Sequence, residues 1–375
     1  MPDLVLVTGG AGFIGSHTVD RLLRHGYAVR IFDRLHPQVH PGGITPAYLP
    51  PDAELVRGDV RDLAAIRRAL RSVSHVVHLA AETSVGQSMY QSDVHVDVNA
   101  RGTAVLFRAI REERIAVGRV IVGSSRAVYG EGAYTCDHCG RVNPGQRSVD
   151  DLDARIWAPR CPICGSSLTP IPSDESLEPR YSSSYGMTKL FQEQISQMEA
   201  AQLGVSLVIL RYFNVYGSRQ SADNPYTGLI TTFALRLLAG RPLVLYECGS
   251  PVRDFVHVDD VVSANVRALT ADLEPTQTLN VGSGRSLTLV ELAAALGRAF
   301  GCEPEVELST RFRVGDIHAS IADIQRAQMI LGCEPSLPID VGLRSLVPEL
   351  QARKGDDHSE AVERELRSKG VLRGD

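Results

Sequence analysis

The sequence lacks any long apolar run and any excess of basic charge. No stretch approaches the roughly 18 consecutive apolar residues that a membrane-spanning helix needs. The N-terminus enters a β-type run directly, without the charged, apolar and small-residue order of a secretory leader. A soluble, cytoplasmic protein with no membrane partner is the expectation. The formal net charge of -5 gives nucleic-acid binding no electrostatic basis, because phosphate backbones are held by clustered Lys and Arg. Internal repeats and low-complexity tracts are missing as well. The 7 cysteines are an odd set, with Cys248, Cys302 and Cys333 scattered, which does not suit a disulfide framework. What is present, 375 residues at 43% hydrophobic content, can bury a large core in two domains or one elaborated domain.

The first thirty residues carry the strongest local pattern. An apolar β run from Leu4 to Val7 leads into glycines, then Phe13, Ile14, Val19, Leu22 and Leu23 recur at helical spacing, and a second strand from Ala28 to Phe32 ends at Asp33. This is a βαβ unit. Gly9, Gly12 and Gly15 supply a tight turn, a backbone close enough to touch a pyrophosphate, and close helix-to-strand packing, with the helix N-terminus facing the phosphates. Phe13 and Ile14 belong to the same cofactor loop. Asp33 can accept hydrogen bonds from ribose hydroxyls and repels a 2′-phosphate, which favours NAD over NADP.

The alternation continues. A strand from Glu54 to Arg57 precedes "GDVRD", a strand from His75 to Leu79 precedes "AA", a helix carries Asn99, and a strand from Arg119 to Gly123 ends in Ser124 and Ser125. Strands alternating with helical patterns imply an α/β fold with a Rossmann-type, doubly wound parallel sheet. Asp59 and Val60 fall where an adenine edge would be held. Leu79, Ala80 and Ala81 leave room for the cofactor, and Asn99 and Ser124 complete the cofactor-facing set.

Tyr185 and Lys189 in "YGMTK" are four residues apart, hence on one helical face. A nearby ammonium stabilises phenolate and lowers a tyrosine pKa from its usual value of about 10, giving a general base that also lies at the cofactor. Taken with "TGGAGFIG", "GDVRD", "HLAA", "SSRAVYG", "LRYFNVYG", "RDFVHVDDV", "NVGSG" and "RVGDI", the chain resembles the extended short-chain dehydrogenase/reductase family, in its nucleotide-sugar epimerase and dehydratase branch. The resemblance runs from about Leu4 to Leu350. It implies that Ser125 is the hydroxyl joining Tyr185 and Lys189, that Asn214 holds the sugar or its phosphate, and that Arg253 and Arg313 grip the diphosphate, as guanidinium forks suit phosphate oxygens. Arg126, Arg219 and Asp316 complete the substrate-facing set, and a homodimer is implied.

Dehydratases of that branch carry an acid pair after the triad hydroxyl, and related decarboxylases a glutamate two positions after it. Arg126 and Ala127 occupy those positions, and neither can act as a general acid at neutral pH. The resemblance then implies 4-epimerisation: Tyr185 takes the C4 hydroxyl proton while hydride passes to NAD, the bound keto sugar turns over, and hydride returns to the other face. The loop segments "HPQVH", "VGQSMY", "YGEGAY" and "SADNPYTGLI" resemble the dTDP-L-rhamnose 4-epimerase-like group. A UDP-sugar 4-epimerase acting on a hexose or hexuronate, a 4-ketoreductase or dehydrogenase, and a non-catalytic NAD sensor are the alternatives.

Cys136-x-x-Cys139 and Cys161-x-x-Cys164 interrupt this pattern. Two thiolate pairs, each followed by glycine, suit a closed tetrahedral structural zinc site with no open position for substrate; a redox or disulfide role is the other reading. Without metal so few apolar residues could hardly fold this zinc-ribbon-like insertion, and its mixed charge does not support nucleic-acid binding. Lying between Ser125 and Tyr185, it is expected to be a flap at the mouth of the sugar site. The domain expectation is therefore residues 1–130, continuing at 173–215 and 252–275, for NAD; 131–172 for the cysteine insertion; and 216–251 with 276–352 for a smaller substrate domain, helical over Leu289 to Phe300 and Ala322 to Leu331. Residues 353–375, with acidic and basic side chains in equal number, are expected to form a polar tail with a short helix at "SEAVEREL".

Overall fold

The computed structural model describes residues 2–352 and 357–375. Seven parallel strands form the central sheet: β1 (Leu4–Thr8), β2 (Ala28–Asp33), β3 (Glu54–Arg57), β4 (His75–His78), β5 (Arg119–Ser125), β6 (Ser206–Tyr212) and β7 (Thr276–Val281), in the order β7-β6-β5-β4-β1-β2-β3. The period-2 alternation of each strand feeds two cores at once. Val5, Val7, Val208 and Leu210 pack on one face with Val19 and Leu22 of the Phe13–Arg24 helix, whereas Leu6, Leu207 and Ile209 pack on the other with Leu106 and Phe107. Each such fully buried aliphatic side chain contributes about 1.5–3 kcal/mol. The chain winds from β1 towards β3, then restarts at β4 and winds the other way, so a crevice opens between β1 and β4 at the carboxyl edge.

A smaller body covers that edge. Strands Asn214–Tyr216, Val252–His257 and Ser286–Thr288 form one small sheet, and Leu243–Leu245 pairs with Val306–Leu308. Helices Leu229–Leu238, Leu289–Phe300 and Ile339–Ala352 bury a separate core around Phe233, Leu292, Leu296 and Leu343. The Leu289–Phe300 helix starts where its sequence specifies, because Thr288 and Glu291 cap each other reciprocally.

Four expectations need correction. Residues 276–281, assigned from sequence to the substrate domain, form β7 at the edge of the main sheet, paired in parallel with β6 from Thr276 to Val281. Residues 252–257, assigned to the Rossmann body, pair instead in the small sheet. The third concerns the polar tail. Residues 353–356 lie outside the described residues; the short helix expected at "SEAVEREL" is present as Ser359–Ser368, but the segment is docked rather than solvated, and Leu372–Arg373 pairs antiparallel with Phe312–Arg313. Val362 and Leu366, one helical turn apart, are buried with Val371, Leu372, Met89, Tyr90 and Tyr226, so a narrow apolar stripe docks a segment of polar average composition. In addition, the helix expected over Ala322 to Leu331 is shorter, Gln325–Leu331.

The cysteine segment is a three-stranded antiparallel sheet, Gly140–Val142, Tyr134–Cys136 and Thr169–Pro170, with a short helix Val149–Asp153 between its cysteine pairs. Among the described residues, no helix is long and apolar enough to cross a membrane.

Candidate active site

The turn after β1 is built for close approach. Gly9 has φ +70, and a Cβ there would stand 2.8 Å from the Ala80 nitrogen; a Cβ at Gly15 would stand 2.1 Å from the Gly9 oxygen. Gly12 precedes the Phe13–Arg24 helix and offers no side-chain cap, so the first-turn N–H groups remain available to an anion. Asp33, at the end of β2, accepts from Ala11 N at 3.1 Å and Leu35 N at 2.8 Å, which fixes its carboxylate beside the turn. Next to it, Arg61 hydrogen bonds hold Asp59 well below the usual carboxylate range, at about 2.

A cleft of about 500 Å³ runs from this turn across the sheet edge. Gly9, Gly12, Phe13, Ile14, Gly15 and Asp33 line its first part, followed by Asp59, Val60, Leu79, Ala80 and Ala81. Ser124, Ser125, Arg126, Tyr185 and Lys189 line its middle, and Asn214, Arg253 and Asp316 its far wall. The uncapped helix N-terminus, the glycine contacts and the Asp33 carboxylate fit NAD.

Asn99, Arg219 and Arg313 do not line the cleft. Asn99 sits in a π-helical stretch, Val96–Arg101, and clamps the loop after β4: its Nδ2 donates to Glu82 O and Thr188 Oγ1, both at 3.0 Å, and its Oδ1 accepts from Glu82 N at 2.8 Å. Its amide is spent on positioning that loop. Arg219 pairs with Asp20 at 2.8 Å and lies over the Tyr48 ring. Arg313 stacks on Tyr246, 5.2 Å from the ring centre.

Tyr185 and Lys189 lie on the Ser184–Leu203 helix, capped by Ser183, whose hydroxyl accepts from Gly186 N at 3.1 Å. The four-residue spacing turns both side chains towards the end of β5. Lys189 Nζ donates to Gly123 O at 2.8 Å and Gln192 Oε1 at 2.7 Å. Gln192 continues through Thr103 to His78 and Thr8 in a buried hydrogen-bonded chain. Burial pulls Lys189 down to about 7. Tyr185, expected from sequence to have a lowered pKa, is instead pushed up to about 12 by burial, which the Ser125 hydroxyl only partly offsets. The physical reason is that the Lys189 ammonium is directed at Gly123 and Gln192, while the phenol sits in a dry site.

Arg126 donates to Gly130 O and, among the described residues, has no carboxylate within ion-pair distance; burial lowers it to about 10. Arg253 is anchored by Asp316 Oδ1 at 3.1 Å and Ile317 O at 2.7 Å. Sequence reading missed an amide cluster at the cleft mouth, in which Gln38 Nε2 donates to Gln87 Oε1 at 3.1 Å and Asn224 Oδ1 at 3.0 Å. They fall within the segments "HPQVH", "VGQSMY" and "SADNPYTGLI", two loops and the short Val85–Ser88 helix, whose side chains meet only in the folded chain, so no spacing signal could have revealed the cluster.

Away from the cleft, the sulfurs of Cys136, Cys139, Cys161 and Cys164 all lie within 4.8 Å of one another, with Cys136 Sγ 3.5 Å from Cys164 Sγ. Tetrahedral zinc with bonds of about 2.3 Å places its sulfurs about 3.8 Å apart, so the quartet could hold one such ion.

The profile of the NAD dependent epimerase/dehydratase family matches residues 5–147 and 161–282. The chain belongs to this family. It is similar to dTDP-L-rhamnose 4-epimerase of Burkholderia thailandensis, 37% identical over 91% of this chain and 93% of the relative. Among solved structures it is similar to Thermus thermophilus UDP-glucose 4-epimerase in complex with NAD, with TM-score 0.71 and 29% identity over 93% of this chain and 99% of the other. It is also similar to MoeE5 in complex with UDP-glucuronic acid and NAD, with TM-score 0.70 and 31% identity over 91% and 96%.

Proposed function

We propose that this epimerase-family protein inverts C4 of a nucleotide-diphosphate sugar, with dTDP-L-rhamnose or a related dTDP-deoxysugar as substrate, and that its cysteine quartet holds one structural zinc ion. The observation that carries the reaction class is the convergence of Ser125, Tyr185 and Lys189 on the cleft that begins at the glycine turn, with Arg126 and Ala127 in place of the acids that dehydration or decarboxylation would need. When bound, NAD supplies a hydride acceptor that becomes the donor for the return step.

The residues of the chain supply the rest. Tyr185 moves the proton at the C4 oxygen, and Ser125 hydrogen-bonds the phenol. Lys189 is fixed by Gly123 and Gln192 one helical turn from Tyr185, where its protonated form would favour the phenolate. Arg253, with its four Nη hydrogens taken by protein oxygens, would offer its charge and its Nε–H to the diphosphate while the oxidised sugar turns, so binding energy remote from C4 retains the intermediate. The dTDP-L-rhamnose reading is supported by the 37% identity to the Burkholderia thailandensis enzyme.

A second reading, a UDP-hexuronate, is favoured by one observation: Arg126 is half-buried beside Ser125 and, among the described residues, has no carboxylate within ion-pair distance, Glu131 and Asp316 being paired with other arginines, and a sugar carboxylate would supply one. The test is to incubate the purified protein with dTDP-L-rhamnose, UDP-glucose and UDP-glucuronate and follow C4 configuration by NMR. Inversion of dTDP-L-rhamnose supports the first reading and inversion of UDP-glucuronate alone the second. Unchanged configuration in all three, with NAD bound, would refute both.

A further inference from the structure

Epimerase chemistry gives the cysteine insert no role, yet its contacts converge on one wall of the cleft. Arg147, in the loop after the Gly140–Val142 strand, has a side chain only 2% exposed. Its Nε meets Glu131 at 2.9 Å, and Nη1 and Nη2 clasp the Glu247 carboxylate at 2.6 and 2.9 Å. The same guanidinium donates to the carbonyls of Trp157 at 2.9 Å and Asp316 at 3.1 Å. Glu131 in turn accepts from His318 N at 2.8 Å.

Two more contacts reach the same wall. The insert's small core, including Tyr134, Cys136 and Cys161, packs on Val252 and Ala319. The Trp157 ring lies 6.2 Å from Phe312, the neighbour of Arg313. Arg253 is held by the carbonyls of Val252, Ile317 and His318 and by the Asp316 carboxylate. Every anchor of Arg253 therefore lies on a segment that the insert touches.

We propose that the insert is the scaffold of the Arg253–Asp316 wall, and that Arg147 is the positioning residue through which thiol-metal binding in the insert sets substrate affinity. The metal half rests on the zinc reading of the quartet. Three short strands bury too little to fold alone, so loss of the metal frees the loop that carries Arg147. Withdrawal of Arg147 leaves Glu131 and Glu247 buried without their cation, and the 316–318 segment that anchors Arg253 moves.

The experiment uses the full chain as wild type, Cys139→Ser/Cys164→Ser, Arg147→Met, Arg147→Lys and Arg147→Met/Glu131→Gln/Glu247→Gln; the last removes the orphaned charges in case the single variant fails to fold. Zinc content, NAD affinity, dTDP and UDP affinity, and kcat and KM for any sugar turned over are measured. The cysteine variant should lose zinc and bind nucleotide diphosphate tenfold or more weakly, with NAD affinity within threefold. Arg147→Met and the neutral triple variant should keep zinc yet show the same nucleotide loss, with KM raised and kcat within threefold, and Arg147→Lys should recover part of it. Unchanged nucleotide affinity in the zinc-free or Arg147→Met protein, or a parallel loss of NAD affinity, overturns the proposal. A wild type without zinc removes the metal half alone, and the nucleotide affinity of Arg147→Met still decides the other. Absence of sugar turnover counts against the epimerase reading, whereas dTDP and UDP binding still decides the coupling.

Discussion

Substituting Gly15 by alanine isolates the geometry of the cofactor turn. The new methyl group would stand 2.1 Å from Gly9 O, 2.8 Å from Gly10 Cα and 2.9 Å from Gly9 C, where ordinary contact begins at 3.4 Å. These neighbours are backbone, and the helix carrying Gly15 cannot tilt away freely, because Val19 and Leu22 are fully buried against the sheet. The turn must therefore shift by about 1 Å or more, at the usual overpacking cost of about 1–3 kcal/mol. Gly12→Ala meets only Gly9 O, at 3.3 Å, so the NAD-free protein should tolerate it within about 0.5 kcal/mol. Urea unfolding of NAD-free protein measures the stability difference, and calorimetric titration with NAD measures binding. The distorted turn should also weaken NAD about 5- to 150-fold in Gly15→Ala, if a distortion of the same 1–3 kcal/mol opposes binding. An NAD-free Gly15→Ala protein as stable as wild type would refute the reasoning.

Other outcomes follow from the site and its surroundings. Tyr185→Phe should lower kcat about 10²- to 10⁴-fold, the usual range for a lost general base, while NAD affinity stays within threefold; turnover near wild type by NMR would remove Tyr185 from the mechanism. Burial pulls Lys189 from its ordinary 10.5 down to about 7 in the folded protein, so between those values the unfolded chain binds more protons and stability should rise with pH; Lys189→Met should flatten that rise in thermal scans from pH 7 to 9. Arg211 and Glu193 form a buried pair at 2.7 Å, so Arg211→Met should cost about 3–5 kcal/mol, and Arg211→Met/Glu193→Leu should regain much of it. Leu366→Ala, in the docked C-terminal helix, should cost about 2–5 kcal/mol, whereas an undocked tail would show no change.

Much of the site was legible because its residues act through local geometry. A glycine turn between a strand and a helix, and a tyrosine and lysine one helical turn apart, have the same consequences in any chain that folds this way. Asn99 and Arg313 misled because a residue type in a motif does not reveal where its side chain points: Asn99 spends its amide on Glu82 and Thr188, and Arg313 stacks on Tyr246. The Tyr185 pKa was misjudged because spacing places Lys189 on the same helical face but says nothing of burial, which raises the phenol, or of where the Lys189 ammonium is directed.

The sequence by itself determined the alternating strands, the glycine turn, the Tyr185 and Lys189 pair on one helical face, and the two cysteine pairs, since each depends on short-range spacing and side-chain chemistry; Ser125 entered only through the family resemblance. Only the tertiary structure decided that residues 276–281 complete the main sheet, that Ser359–Ser368 docks through Val362 and Leu366, and that Arg147 lies between Glu131 and Glu247. Those placements join segments far apart in the chain, and they are selected by complementary surfaces and the cost of burying unpaired charge, neither of which leaves a periodic trace in the sequence.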